Sequence, residues 1–161
     1  MKKKVTEKDR DFIQKAIDVA VEGILKGGGP FGAVITRNGK IIAEAYNEVV
    51  YTNDPTAHAE ILAIRKASEA TGSHILSDCS LYASCEPCPM CLGAIYWSGI
   101  RSVFFASGRK DAAEAGFGDD FFYKEMMLDP EKRKISFCRV EEIDGSRVFR
   151  LWKDYEGRIF Y

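Results

Sequence analysis

The first apolar residues of this chain recur with the period of an α-helix. The positions that share this spacing are Phe12, Ile13, Ala16, Ile17, Ala20, Val21, Ile24 and Leu25. The pattern therefore predicts a first amphipathic helix. The glycines and the proline at residues 27–30 predict its end.

The pattern then changes to two runs rich in β-forming residues, at about 31–37 and 40–50. Asn38-Gly39 separates them, and this dipeptide favours the type I′ turn of a two-residue hairpin. The sequence therefore predicts a β-hairpin directly after the first helix.

Helical and strand patterns alternate through the rest of the chain. Helices are predicted near residues 57–71, 88–98, 121–127 and 146–156, strands near 80–84, 101–106 and 135–140, and a loop over 107–120. Asn53-Asp54-Pro55-Thr56 supplies turn and capping residues before the second helix. Five strands alternating with helices predict an α/β protein. The expected architecture is a three-layer α/β/α sandwich around a mixed five-stranded sheet.

Composition narrows the class of protein. The chain has 161 residues, 46% of them hydrophobic and 29% charged, which suits one soluble domain over residues 1–161. A net charge of −1 argues against a general nucleic-acid binder.

The N-terminal lysines precede no apolar segment, and no apolar run reaches the roughly 18 residues of a membrane span. We therefore expect neither a secretory signal nor a membrane partner.

Five cysteines, at positions 79, 85, 88, 91 and 138, raise the question of redox state. We expect a cytoplasmic protein, in which thiols stay reduced, so these residues are interpreted as metal ligands or buried side chains.

The strongest chemical signal is His58-Ala59-Glu60 followed by Pro87-Cys88-Pro89-Met90-Cys91. His58, Cys88 and Cys91 are three side chains that bind zinc well, and three protein ligands leave a fourth position open for water. Water on zinc loses a proton near neutral pH and becomes a nucleophile. The spacing H-x-E…P-C-x-x-C is the known signature of zinc deaminases.

The predicted helices explain how these residues meet. His58 falls at the start of the second helix, and Cys88 and Cys91 lie three residues apart in the first turn of the third. Amides at a helix N-terminus favour the thiolate form of cysteine. We therefore predict one zinc ion per subunit on these three ligands. Glu60, which need not bind the metal, is predicted to carry protons between water and the leaving amine.

Cys85 leaves two alternatives to weigh. Cys85, Cys88 and Cys91 form C-x₂-C-x₂-C, which begins an iron–sulfur motif, but no fourth cysteine follows Cys91 at the required spacing. A closed structural zinc site made of these cysteines and His58 would leave no place for water and no role for Glu60. Cys85 is therefore predicted to be a buried neighbour of the site, and Cys79 and Cys138 to be core residues.

These residues and their surroundings resemble the cytidine deaminase-like superfamily and, within it, the bacterial guanine deaminases. The stretches that carry the resemblance are Gly29-Pro-Phe-Gly-Ala-Val-Ile35, Asn53-Asp-Pro-Thr-Ala-His-Ala-Glu60, Ser84-Cys-Glu-Pro-Cys-Pro-Met-Cys-Leu-Gly-Ala-Ile-Tyr-Trp97 and Asp111-Ala-Ala-Glu-Ala-Gly-Phe117. The resemblance is looser after Tyr123. It implies hydrolytic deamination of guanine to xanthine and ammonia.

The same resemblance implies roles for residues outside the metal motif. The Asn47 side chain and the Ala59 amide would contact the purine, and Phe31 and Trp97 would supply apolar and stacking surface. Asp119 would read the base edge, although Asp120 and Glu114 are nearby acids. Two readings from local structure stay open: Asn47 as a turn residue, and the paired acids at 119 and 120 as helix caps.

The resemblance also implies a homodimer that exchanges C-terminal segments, about residues 140–161. Tyr161, the last residue given, would close the pocket of the partner subunit. Other zinc deaminases remain as alternatives, acting on cytosine, guanosine or adenosine in tRNA. The tRNA enzyme must bind a polyanion, which a nearly neutral chain is poorly suited to do.

Overall fold

The computed structural model describes residues 4–160 and divides the chain into two compact units, Met1–Asp120 and Phe121–Tyr161. The elements of the first unit, in order, are α1 (Glu7–Leu25), β1 (Gly29–Arg37), β2 (Lys40–Asn47), α2 (Val49–Thr52), α3 (Ala59–Thr71), β3 (Cys79–Cys85), α4 (Pro89–Trp97), β4 (Ser102–Ser107) and α5 (Arg109–Glu114). A further helix, α6 (Asp120–Met126), begins at its last residue. Helices and strands alternate as the sequence predicts.

The four strands form one mixed sheet in the order β2-β1-β3-β4. β1 pairs antiparallel with both β2 and β3, whereas β3 and β4 run parallel. A parallel pair needs a crossover connection, and α4 supplies it. The ends of β3 and β4 therefore lie side by side, so residues that follow the two strands come close together.

α1 begins at a capping box and covers one face of the sheet. The Asp9 N–H donates to Thr6 Oγ1 at 3.2 Å, and the Thr6 N–H donates to the Asp9 carboxylate at 2.8 Å. The helix packs against a cluster that includes Val34 of β1 and Tyr82 of β3. Gly32 allows this packing, because a Cβ there would meet the backbone of α1, 2.6 Å from the nitrogen of Ala20.

The hairpin between β1 and β2 has the predicted turn. Asn38 and Gly39 have φ values of 51° and 70°, the left-handed pair that a type I′ turn requires. The second strand is shorter than expected, because it ends at Asn47 and α2 begins two residues later.

α3 packs on the opposite face of the sheet with small side chains. Ala59, Ala63 and Ala67 lie four residues apart on one side of this helix and are fully buried. They share a core cluster with Ile35 of β1 and Leu81 of β3. Helices therefore cover both faces of the sheet, and the prediction of a mixed α/β fold is confirmed.

Two sequence expectations about secondary structure were wrong. Residues 107–120 are not wholly loop, because α5 forms there and the Gly108 N–H donates to Asp111 Oδ2 at 2.7 Å as a cap. The expected fifth strand at 135–140 is absent, so the sheet of the described residues has four strands. An alternating pattern forms a strand only beside another strand, and the second unit contains none among its described residues.

The second unit consists of α6 beyond Asp120, a short 3₁₀ helix at Pro130–Lys132 and α7 (Arg147–Asp154). None of its described residues is buried. Cys138 is exposed, so its prediction as a core residue was wrong, whereas Cys79 is buried as expected. Tyr161 lies outside the described residues. Among the described helices, none has both the length and the apolar character that crossing a membrane requires.

Candidate metal centre

Two helix N-termini hold the residues of the metal motif. His58 is the N-cap of α3 and Cys88 the N-cap of α4, both with extended backbone, and neither side chain makes a capping hydrogen bond. Pro89 occupies the first position of α4, where no amide hydrogen is needed. Cys91 lies in the first turn of α4 and is fully buried. The side chains of His58 and Cys88 are therefore available for another partner.

The three side chains converge on one point. His58 Nδ1 lies 3.6 Å from Cys88 Sγ and 3.5 Å from Cys91 Sγ. Their ligand atoms all lie within 4.8 Å of one another. Tetrahedral zinc with its usual bonds to nitrogen and sulfur separates two such ligands by about 3.6 Å. The cluster fits a zinc ion, and His58, Cys88 and Cys91 are the side chains that would hold it.

The electrostatics of the cluster favour a thiolate at Cys88. A hydrogen bond from the Cys91 thiol and another from His58 lower the pKa of Cys88 to about 4. The Cys88 thiolate in turn raises the pKa of His58. Its hydrogen bond with Cys91, together with burial, raises the pKa of that second thiol. Negative charge is therefore placed where a metal cation would be bound.

Glu60 lies in the first turn of α3, with 7% of its surface exposed. Burial raises the pKa of its carboxyl group, and the Cys88 thiolate adds to the shift, against the opposing effect of His58. The structure thus brings a carboxyl group beside the metal ligands but outside the ligand cluster, as the sequence predicts.

Cys85 does not belong to the ligand cluster in the described part of the chain. It is buried, and its thiol points to the Gly108 carbonyl at 3.8 Å. This confirms Cys85 as a buried neighbour and removes the geometric basis for a closed Cys₃His site.

Three of the predicted purine-contacting residues lie on β1, β2 and α3. Ala59 is buried at the start of α3. Asn47 is buried at the end of β2, where its Oδ1 accepts from the Val49 N–H at 3.2 Å. That bond is the turn contact considered from the sequence, and it leaves the amide NH₂ group to donate elsewhere. Phe31 is half-buried against the core.

Of the three candidate acids, Asp119 is the least exposed. It is half-buried, whereas Asp120 and Glu114 are exposed. Burial and the Cys88 thiolate raise the pKa of Asp119, and Arg109 opposes that shift. Asp119 therefore lies within electrostatic range of a metal ligand.

Trp97 is not brought to the cluster of its own chain. It is 69% exposed at the last position of α4. The rise of a helix places it about 13 Å along the axis from Cys88. A role for Trp97 at this kind of site would require a second copy of the chain.

Sequence reasoning missed the residues that link the loops after β3 and β4. Arg109 Nε lies 3.3 Å from the Glu86 carboxylate, and the Glu86 N–H donates to the Ser107 carbonyl at 2.9 Å. Phe117 packs edge-to-face on Phe31, with ring centroids 5.1 Å apart. The available signal was the helix predicted between the two strands, since a strand–helix–strand unit favours parallel pairing and so places the residues after both strands side by side.

Residues 6–107 match the family model described as the cytidine and deoxycytidylate deaminase zinc-binding region. The chain belongs to this zinc deaminase family. The match includes all three residues of the ligand cluster and Glu60, so zinc is the metal for which this donor set is built.

The chain also resembles known proteins beyond the zinc-binding region of residues 6–107. Guanine deaminase of Bacillus subtilis is 51% identical over 151 residues, which cover 93% of this chain and 97% of that protein. The crystal structure of guanine deaminase from the same organism matches 98% of this chain and 99% of its own, with a TM-score of 0.93 and 49% identity. A tRNA-specific adenosine deaminase of Aquifex aeolicus is 42% identical over 96 residues, 60% of this chain and 64% of that protein.

Proposed function

We propose that this protein hydrolyses guanine to xanthine and ammonia. The observation that carries the proposal is the likeness to B. subtilis guanine deaminase, which spans 93% of this chain and nearly all of that enzyme. Three tRNA-specific adenosine deaminases are 33–42% identical, over 60–85% of the chain. The higher identity over nearly the whole chain therefore favours guanine.

In the proposed reaction, zinc held by His58, Cys88 and Cys91 would polarise a water molecule and so supply the nucleophile. Glu60 takes one proton from the attacking water and gives it to the ring nitrogen beside the reacting carbon. It then transfers the second proton of that water to the exocyclic amine, which leaves as ammonia as the C–N bond breaks and the carbonyl of xanthine forms. Water and guanine enter, and xanthine and ammonia leave. The buried position of Glu60 beside the ligand cluster supports this role, since few water molecules can compete for its proton.

We assign substrate recognition to one hydrogen-bond acceptor, two hydrogen-bond donors and one apolar side chain. The Asp119 carboxylate accepts from the N1–H and amino groups of the guanine edge, and the Asn47 amide and the Ala59 N–H donate to ring acceptors. Phe31 offers an apolar surface to the purine ring. A site built to accept from this edge rejects rings that lack the donors, because its own carboxylate would be left unpaired.

One assay separates this proposal from its alternatives. Zinc-loaded protein is incubated with guanine, cytosine, guanosine and adenosine-containing tRNA, and ammonia release is followed for each. Guanine turnover is expected. Turnover of cytosine, guanosine or tRNA with none of guanine would overturn the proposal.

We also propose that residues 1–161 act as one deaminase domain in a homodimer, with the segment of about 140–161 exchanged between subunits. In the described first unit, β4 is an edge strand whose Phe105 is 48% exposed. Such an exposed edge can be covered by a partner subunit. Trp97 and Tyr161 would then act at the partner subunit's site.

Exposed apolar side chains of the second unit support this assembly. Among them Ile135 is 70% exposed, Phe149 71% and Ile159 70%, more than an isolated subunit is expected to leave in water.

We propose a cytoplasmic location on separate grounds, because all five cysteines are free and two of them belong to the ligand cluster.

A further inference from the structure

The segment after α5 has a backbone that is fixed up to Phe117. The Gly116 N–H donates to the Ala113 carbonyl at 3.0 Å, and the Phe117 N–H donates to the Ala112 carbonyl at 2.8 Å. Gly116 has a φ of 91°, the left-handed conformation of a Schellman cap. These bonds tie the backbone nitrogen of Phe117 to the last turn of α5.

The side chain of Phe117 makes a contact across the fold. Its ring meets the Phe31 ring at 88° with centroids 5.1 Å apart, an edge-to-face geometry that aromatic pairs favour. Phe31 is held in turn by the main core cluster. Phe117 is still 48% exposed, so burial alone does not explain its position.

Asp119 follows Phe117 by two residues, and only Gly118 lies between them. Two residues of chain span at most about 7 Å, so the position of Phe117 limits where the carboxylate can reach. Gly118 has no Cβ and constrains the backbone little, so it cannot hold Asp119 in place by itself. Within the described first unit, the ring contact of Phe117 with Phe31 is the side-chain anchor nearest in sequence to this carboxylate.

We propose that Phe117 is a positioning residue: by packing on Phe31, it holds residues 115–119 so that the Asp119 carboxylate faces the guanine edge. The role rests on the proposed guanine activity. It also links two recognition elements, because Phe31 is the apolar surface for the ring and Asp119 the acceptor for its edge. Asp119 is half-buried, which agrees with this role.

The test is a double-mutant cycle on guanine turnover. Phe117→Ala is expected to lower kcat/KM by about 10- to 100-fold, as loss of orientation does, with zinc content unchanged. In an Asp119→Ala background the same substitution is expected to cost less than about 2-fold, because residues that act as one unit are not additive. Phe117→Tyr, which keeps the ring, is expected to retain turnover within about 3-fold of the wild type.

Phe122→Ala is the matched control, since Phe122 is an aromatic residue of similar exposure whose ring packs on Phe121. Far-UV circular dichroism and zinc stoichiometry establish that each variant is folded. Equal losses from Phe117→Ala with and without Asp119 would overturn the positioning role, as would wild-type kcat/KM in the single variant. Absence of guanine turnover in the wild type would instead overturn the proposed function.

Discussion

Glu60 combines a charged side chain with a buried position in a helix that otherwise packs on the sheet through alanines. Only 7% of its surface is exposed, while Ala59 and Ala63 beside it are fully buried. A buried carboxyl group lowers stability unless its interactions compensate. The position of Glu60 next to the ligand cluster is therefore best explained by a role in the reaction.

Glu60→Gln keeps the shape of the side chain and removes its ability to take a proton. We expect zinc stoichiometry near that of the wild type and a loss of kcat of about 100- to 10,000-fold, the range of general acid–base catalysis. Ammonia release and metal analysis measure the two quantities. Glu69→Gln, on the exposed part of the same helix, is the control. Full activity in Glu60→Gln would contradict the proton-carrying role.

Tyr82 lies on the opposite face of the sheet and contributes to the stability of the fold. It is buried on β3 and its hydroxyl donates to Asp9 Oδ1 at 2.7 Å. Burial, and then the Asp9 carboxylate, raise its pKa. A pKa raised in the folded state gives stability that is complete below the pKa of the unfolded chain, about 10, and that declines as pH rises above it.

Tyr82→Phe is therefore expected to lower the free energy of unfolding by about 1–3 kcal/mol at neutral pH, because Asp9 loses a donor. The variant should also lose less stability than the wild type above about pH 10, since this tyrosine no longer titrates. Urea unfolding at several pH values measures both effects. Tyr51→Phe, at a residue 75% exposed, is the control. Identical pH dependence in wild type and Tyr82→Phe would contradict the linkage.

At the scale of elements, the approach of α1 to β1 depends on a residue without a side chain. A Cβ at Gly32 would collide with the carbonyl of Ala16 and lie 2.6 Å from the nitrogen of Ala20, both backbone atoms. Backbone cannot turn aside as the end of a flexible side chain can. Helix and strand would have to separate along their contact.

Gly32→Ala is expected to lower the free energy of unfolding by about 1–3 kcal/mol or more, the cost of overpacking. Gly93→Ala on α4 provides a control of opposite sign. Among the described residues, no atom outside its own helix backbone and chain neighbours lies within 4 Å of a Cβ there, and alanine in a helix is favoured over glycine by about 0.5–1 kcal/mol. Denaturant unfolding of both variants checks the pair. Equal changes in the free energy of unfolding would mean that position 32 requires glycine for backbone flexibility alone, and not for the close approach of α1.

At the scale of the whole molecule, the exchange of C-terminal segments decides which subunit supplies each residue of a site. If C-terminal segments are exchanged, a site contains Glu60 of one subunit and Tyr161 of the partner. Without exchange, both residues come from the same chain. The two arrangements differ in what a mixed dimer can do.

Subunits carrying Glu60→Gln are mixed with subunits carrying Tyr161→Ala, unfolded together and refolded with zinc. With exchange, one site in each mixed dimer has both native residues, so guanine turnover returns to about a quarter of the wild-type level for random pairing. Each variant refolded alone serves as the control. Light scattering gives the oligomeric state. A dimer that regains no activity on mixing would contradict the exchange.

Much of the fold was predictable from patterns within short stretches. The periodicity of α1, the Asn38-Gly39 turn and the spacing of Cys88 and Cys91 act over a few residues, and the structure has each of them. The helix α5 was missed because it is only six residues long in a stretch that reads as loop. The strand expected at 135–140 was wrong for the described chain because strand formation needs a pairing edge, which local patterns do not supply.

The sequence by itself determined the zinc chemistry, since His58, Glu60, Cys88 and Cys91 form a pattern whose spacing places side chains on two helix ends. Only the tertiary structure decided what surrounds that pattern. It set Asp119 apart from Asp120 and Glu114, excluded Cys85 from the ligand cluster and brought Phe117 onto Phe31. The physical reason is distance along the chain: Phe31 and Phe117 are 86 residues apart, and they meet because the sheet and its connections bring them together.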